Sequence, residues 1–161
     1  MPATQLKRFL DSNRVKYTTL VHPMAYTAQE IASLAHVSGQ EFAKTVVVRA
    51  DGELAMAVLP ASYHVDLALL KAAAGAKKIA LASEAEFRDR FPECDAGAMP
   101  PFGQLYGMPV FVEESLTEDK EIAFNAGTHR ELIRMAYEDF ARLAKPKVAR
   151  FAASEEAALR L

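Results

Sequence analysis

The sequence predicts an α+β domain in which a mixed β-sheet is surrounded by helices. Three observations carry that prediction. Two apolar runs, AKTVVVRA (43–50) and ELAMAVLPA (53–61), flank Asp51-Gly52, a dipeptide that favours the tight turn of a hairpin. Stretches with helical spacing of apolar residues, such as TQLKRFLDSN and YEDFARLAKP, alternate with strand-like runs along the chain. No internal repeat, low-complexity tract or linker interrupts the pattern, so the 161 residues read as one domain, 1–161.

TQLKRFLDSN puts Leu6, Phe9 and Leu10 on one helical face, and YTTLVHP follows as a β-branched strand ended by Pro23. TAQEIASLAHVSG is a second helix, with Thr27 and Glu30 as a capping box and Gly39 as its stop. After the 43–61 hairpin, VDLALLKAAAG is a helix that ends at Gly75, and KKIALA is a short strand. SEAEFRDRF is a helix opened by Ser83, with Glu86 three residues on. MPVFVEESL is a strand that runs into an acidic turn. EIAFNAGTHRELIRM is two strands joined through Asn125-Ala126-Gly127. YEDFARLAKP is the last helix, closed by Pro146, and the remaining residues extend it or fray.

Half of the residues are hydrophobic (51%), enough for a sizeable core. The 19 basic and 21 acidic residues leave a net charge of −2, which argues against a general basic coat for nucleic acid but leaves room for a local patch. The segment Arg130–Arg150 is locally basic, and Lys77, Lys78 and Arg88 add charge elsewhere. No apolar run is long enough to cross a bilayer, and MPATQLKRFLDSNRVKY lacks the apolar segment of a secretory signal. The single cysteine, Cys94, cannot form an internal disulfide. The expected setting is therefore a reducing cytoplasm.

Three stretches draw attention as chemistry. Lys44, in FAKTVVV, places a cation at the mouth of a strand expected at the sheet centre, where it either reaches into a cleft or snorkels over apolar surface. DAGAMPPFGQLYG (95–107) packs three glycines and two prolines into one short span. Proline fixes φ and glycine admits close approach, so Gly97–Gly103 reads either as a stiff pocket wall or as a rigid turn with Phe102 in the core. NAGTHRE (125–131) brings Asn125, Thr128 and His129 together around a turn; His129 is the natural acid/base candidate, while Asn125 and Thr128 equally suit local turn bonds. His22, before a proline at a strand end, and His64, beside Tyr63 before a helix, compete with His129, with a structural role open to each; Cys94 reads as a bystander. No zinc-ligand spacing, phosphate-binding glycine loop, dinucleotide fingerprint or nucleophile elbow is present, so neither metal nor cofactor is expected.

FAKTVVV, GAMPPFG and NAGTHRELIRM, in that order, resemble the YbaK/ProX-type aminoacyl-tRNA deacylase domain, which also occurs as the editing insert of bacterial prolyl-tRNA synthetases. The likeness runs from the first strand to Lys147. It implies a bent, barrel-like mixed sheet and hydrolysis of the ester that joins a wrong amino acid to the 3′ end of a tRNA. It places Lys44, Gly97 and Pro101 in the catalytic roles, and Thr45, Phe102, Gly103, Asn125, Gly127, Thr128 and His129 around the substrate. The implied substrate is a small wrong residue such as cysteine or alanine on proline tRNA, with serine and threonine also open. Members that remove alanine often carry Asn after the lysine, where this chain has Thr45. The implied partners are the mischarged tRNA and a synthetase or elongation factor that delivers it. Two alternatives stand beside this reading: a non-catalytic module that binds tRNA or a synthetase, and a hydrolase of another small activated ester.

Overall fold

In the computed structural model the described residues are 4–21, 42–92, 94–95 and 97–154. The predicted helix at 27–39 and His22 lie outside them. Helix α1 (Thr4–Ser12) leads into β1 (Tyr17–Val21). β2 (Phe42–Ala50) and β3 (Glu53–Pro60) form the predicted hairpin, in register from Ala43↔Pro60 to Ala50↔Glu53. Asp51 and Gly52 both take positive φ, the backbone that the turn requires. Then come β4 (Tyr63–Val65), α2 (Leu67–Ala74), β5 (Ile79–Leu81) and α3 (Glu84–Phe87), with one 3₁₀ turn at Arg88–Arg90. The glycine–proline stretch ends in a second, Gly103–Leu105. β6 (Val110–Glu113), a third 3₁₀ turn at Glu114–Glu118, β7 (Glu121–Asn125), β8 (Glu131–Ala136), α4 (Tyr137–Ala144), β9 (Lys147–Ala149) and β10 (Ala152–Ser154) complete the order.

Among the described residues the main sheet runs β1-β8-β7-β2-β3-β6-β9, with β5 also on β2, while β10 and β4 form a separate pair. The sheet is mixed: β2/β7, β3/β6 and β6/β9 are parallel and the other pairs antiparallel. Helices flank this large mixed sheet, as the sequence predicts.

The local signals act as expected. Asp66 accepts a hydrogen bond from the Leu69 N–H and opens α2, and Gly75, at φ 66°, closes it. The Glu86 carboxylate accepts the Ser83 N–H at 3.1 Å. α3 is shorter than predicted, because the chain tightens into a 3₁₀ turn after Phe87. Three short strands go beyond what the sequence predicts. β4 takes Val65 from the expected helix. β9 and β10 follow Pro146, where the sequence suggests only an extended or frayed helix. Each exists through distant pairing, β9 with β6 and β10 with β4.

Two apolar layers lie on the two faces of the sheet. The larger gathers Leu6 and Leu10 of α1, Val47, Met56 and Val58 of the hairpin, Phe124, Ile133 and Met135, and Phe140 of α4. The smaller packs Leu70 and Phe151 on Val48, Ala55, Ala57 and Leu59. Phe102 is the hub of the larger layer. Its ring meets Phe9, Phe124 and Phe140 edge-on, with centroids 5.7, 5.6 and 5.5 Å away. One loop residue thus ties α1, β7 and α4 together. Phe102→Ala is expected to destabilise the protein by about 3–5 kcal/mol, read by chemical denaturation, because it removes a fully buried ring and leaves a cavity among three others.

Candidate active site

The site begins with the two edges of β2. β3 covers one edge from Ala43 to Ala50. The other edge is shared: β7 pairs only with Phe42 and Ala43, and β5 only with Val48 to Ala50. The Ala82 N–H reaches the Val47 carbonyl at 3.0 Å. Between these two neighbours, at Lys44–Val46, the sheet forks. β7 departs on one side with β8 and β1, and β5 on the other. Lys44 sits at the branch point, partly exposed, within an apolar strand.

Alternation along β2 fixes what shares its face. Ala43 and Val47 point into the larger apolar layer and Val48 into the smaller, so Lys44 and Val46 lie on the smaller layer's side and Thr45 on the other. β7 runs parallel to β2 with Ala43 opposite Phe124. One residue on, Asn125 therefore falls on the same face as Lys44. Its register partner on β8, Leu132, is on that face too. Asn125 is only 6% exposed, and its Oδ1 has no hydrogen-bond partner among the described residues. A buried acceptor left unpaired costs free energy that a bound donor would recover.

The two sequence stretches after Lys44 are fastened to each other by backbone. The Asp95 N–H donates to the Gly127 carbonyl at 2.8 Å, and the Gly127 N–H donates to the Ala98 carbonyl at 2.9 Å. The Asp95 carboxylate accepts the His129 N–H at 3.3 Å. Gly97, at φ 82°, forms the outer point of this clasp, and a Cβ built there would stand 3.7 Å from His129 Cε1. The Ala126 N–H closes the β7–β8 turn on the Glu131 carbonyl. Gly97, Asn125, Gly127 and His129 are thus gathered at the end of β7 that adjoins Lys44.

Other predicted residues have different places. Phe102, expected against substrate, is a core residue with no exposure, because three aromatic rings enclose it. Gly103 is likewise structural: it is buried, and an added Cβ would collide with the Met108 carbonyl, held close because the Met108 N–H is bonded back to the Gly103 carbonyl. Thr45 is 9% exposed and faces away from Lys44, so the two do not act as a pair from one face. Pro101 is buried inside the loop, where it shapes the chain rather than meeting solvent. Thr128 Oγ1 accepts the Arg130 N–H at 3.3 Å, a local turn bond. His64 is exposed on β4, and Cys94 Sγ lies 3.8 Å from the Tyr106 hydroxyl. Asp95 does not stand out in the sequence, although an Asp that opens a glycine loop is a standard side-chain-to-backbone fastener. Among the described residues no cluster of His, Cys, Asp or Glu is arranged to hold a metal, and no helix is long and apolar enough to cross a membrane.

A cation at a fork in the sheet, a glycine held open beside a histidine and a buried, unsatisfied acceptor suit an activated ester that water attacks. That is the class of an aminoacyl-tRNA deacylase. The chain belongs to the aminoacyl-tRNA editing domain family, the YbaK-like group, whose model matches residues 22–143. It is 26% identical over 152 residues to the multifunctional Ser/Thr-tRNA deacylase ProXp-y of Escherichia coli K12, covering 91% of this chain and 90% of that protein. Its fold matches a crystal structure described as a candidate trans-editing enzyme for prolyl-tRNA synthetase, with a TM-score of 0.78 at 21% identity over 95% of this chain and 98% of that one. It also matches hypothetical protein APE2540, with a TM-score of 0.83 at 20% identity over 92% and 99% of the two chains.

Two substitutions separate shape from chemistry. Gly103→Ala is expected to cost about 1–3 kcal/mol of stability by overpacking against the Met108 backbone, visible as a lower denaturation midpoint. Asp95→Ala removes one side-chain hydrogen bond and is expected to cost only about 1 kcal/mol, while deacylation falls further than stability because the turn bearing His129 loses its fastener. Asp95→Asn, which keeps an acceptor, is expected to restore most of that activity.

Proposed function

We propose that residues 1–161 form one deacylase domain that hydrolyses, in trans and in the cytoplasm, the ester of tRNAs charged with a small, wrong amino acid. The observation that carries the reading is the position of Lys44 at the sheet fork, on the same face as Asn125 and next to the Gly97–His129 clasp. In this reading water attacks the ester carbonyl, negative charge builds on the carbonyl oxygen, and the tetrahedral species collapses with release of the ribose oxygen of the tRNA 3′ end. The Lys44 ammonium balances charge on the carbonyl oxygen or on the terminal phosphate. The Gly97 amide, at the exposed rim, orients water or donates to the developing oxyanion; one such donor is commonly worth about 10²–10³ in rate. The ester is already activated, so no side-chain nucleophile is needed. A neighbouring ribose hydroxyl is available on the substrate to guide the water. Pro101 keeps the loop in shape, and His129 and Gly127 line the turn.

Asn125 supports a choice among the amino acids. A buried carbonyl oxygen without a partner favours a substrate that brings a donor, and serine and threonine each bring a hydroxyl. The name of the E. coli relative, a Ser/Thr-tRNA deacylase, supports the same choice. The side chains of cysteine and alanine satisfy that oxygen less well or not at all. A synthetase or elongation factor that delivers the mischarged tRNA fits a protein whose net charge is −2.

The test is a panel of proline tRNAs charged with Ser, Thr, Cys, Ala and cognate Pro. Clearance of one or two mischarged species is expected, with cognate Pro spared and Lys44→Ala at background. Asn125→Ala is expected to slow clearance of Ser and Thr more than that of Ala. Equal loss across the panel would remove Asn125 from specificity. If tRNA binds and nothing on the panel turns over, the editing reading fails.

A further inference from the structure

Away from the fork, the far end of β2 opens onto a cavity of about 500 Å³ lined by Arg49, Lys71, Lys77 and Lys78, with Asp51 as its one acid. In a chain with more acidic than basic residues, such a gathering needs a reason. Arg49 is already committed, to the Gly52 carbonyl at 2.6 Å and to Glu86 at 3.6 Å. The side chains of Lys71, Lys77 and Lys78 form no hydrogen bond or ion pair among the described residues, and all three are exposed. Asp51 does not bind these ammonium groups. Its carboxylate takes the backbone N–H groups of Lys77 and Lys78, at 2.9–3.2 Å, and so fixes the strand-entry turn that carries both lysines.

Nor does the nearby C-terminus of α2 account for them. Its closing carbonyls are already met: Ala72 and Lys71 by the Gly75 and Ala76 N–H groups, and Ala73 by Lys147 Nζ at 2.6 Å. Three lysines therefore line one cavity with a single carboxylate among them and no internal partner to satisfy.

We infer that the Lys71–Lys77–Lys78 cavity is a phosphate-binding site that docks the RNA backbone of the substrate, apart from the site that holds the ester. Its identification with tRNA rests on the editing reading. Position supports it. Leu70 seats α2 on Val48, Ala55, Ala57 and Leu59, so the helix that carries Lys71 packs on the face of the sheet that Lys44 shares, while Arg49 and its partner Ala80 belong to the other face and the cavity opens at the sheet's edge. Five residues of β2 separate Lys44 from Arg49, about 16 Å along the strand. A 3′ end held at Lys44 therefore leaves the backbone of the same RNA within reach of the lysines. Exposed ammonium groups suit this role, because contacts to phosphate hold register without reading sequence.

The experiment measures binding of uncharged tRNA across a salt series. It uses the wild type, a Lys71→Gln/Lys77→Gln/Lys78→Gln triple variant, the corresponding triple arginine variant, and a control with Arg8, Lys16 and Lys120 changed to Gln. Deacylation of a mischarged tRNA and of a minimal aminoacyl-nucleoside ester is followed in parallel. The glutamine triple is expected to bind at least about tenfold more weakly, with its salt slope reduced by about one for each phosphate left without a lysine. KM for mischarged tRNA is expected to rise at unchanged kcat, the minimal ester to be hydrolysed as before, and the arginine triple to recover binding. Wild-type affinity and slope in the glutamine triple would overturn the inference, and so would an equal weakening in the control, which would mean that net charge alone is at work. The binding series needs no turnover. Failure of the wild type to hydrolyse any ester sinks the editing reading and leaves the RNA-docking result to be decided on its own.

Discussion

The site depends on one constraint: a strand has two edges, and β2 does not have a full neighbour on the second. Buried backbone amides must be paired, and β3 pairs one whole edge of β2. β7 and β5 share the other, and neither reaches Lys44–Val46. Adjacent strands in a sheet rotate against each other, so two strands that leave the same edge in different directions must diverge. The divergence leaves a gap in the pairing at Lys44–Val46. A lysine is tolerable there and nowhere deeper in β2, because its charge stays within reach of solvent or of a polar ligand while its stem lies along valine. The same divergence brings the end of β7, and with it Asn125, to the rim of the gap.

The glycine–proline stretch serves this opening by burying its middle, from Ala98 to Gly103. Only its start, at Asp95 and Gly97, and a few residues after Gly103 are exposed. From Ala98 to Gly103 the chain is inside, anchored at one end by backbone bonds to the β7–β8 turn and at the other by the ring of Phe102. Prolines suit such a segment because they bring no N–H that would need a partner, and Gly103 suits it because the Met108 backbone passes too close for a side chain. Stiffness that composition alone presents as a pocket wall is in the structure a buried brace. It holds one exposed glycine against one histidine.

The elements legible in the sequence are those whose cause is local. The hairpin at Asp51-Gly52, the stop at Gly75, the Ser83/Glu86 pairing and the two strands around Asn125–Gly127 each follow from residues within a few positions of one another. β4, β9 and β10 are three residues each and owe their existence to partners far away in the chain, which no window on YHV, KVA or AAS reveals. The site divides the same way. Lys44 stands out as a charge in an apolar run, and His129 and Asn125 as polar residues in a turn. That Phe102 lies inside depends on α1, β7 and α4 meeting around it, and composition does not decide it. The opposite facing of Lys44 and Thr45 is available in the sequence, since neighbours on a strand alternate.

In the proposed reading, the groups at the fork and the lysines at the far end of β2 contribute different kinds of free energy. Contacts to phosphate are the same whichever amino acid the tRNA carries. They stabilise the ground state and the transition state of the correct and the mischarged substrate alike, so they raise capture without sorting what is captured. Sorting has to come from the few groups that meet the amino acid. There, a difference of one methylene is worth only about 1–3 kcal/mol, whereas a buried polar atom built to receive a hydroxyl discriminates far more strongly against a side chain that lacks one. Asn125 is able to supply the second kind of contrast: it is buried on Lys44's face, with an oxygen still to be satisfied. In the proposed reading, the tighter the remote docking, the more fidelity rests on such an acceptor, because every charged tRNA then reaches the ester site and only the local contacts decide which ester is cut.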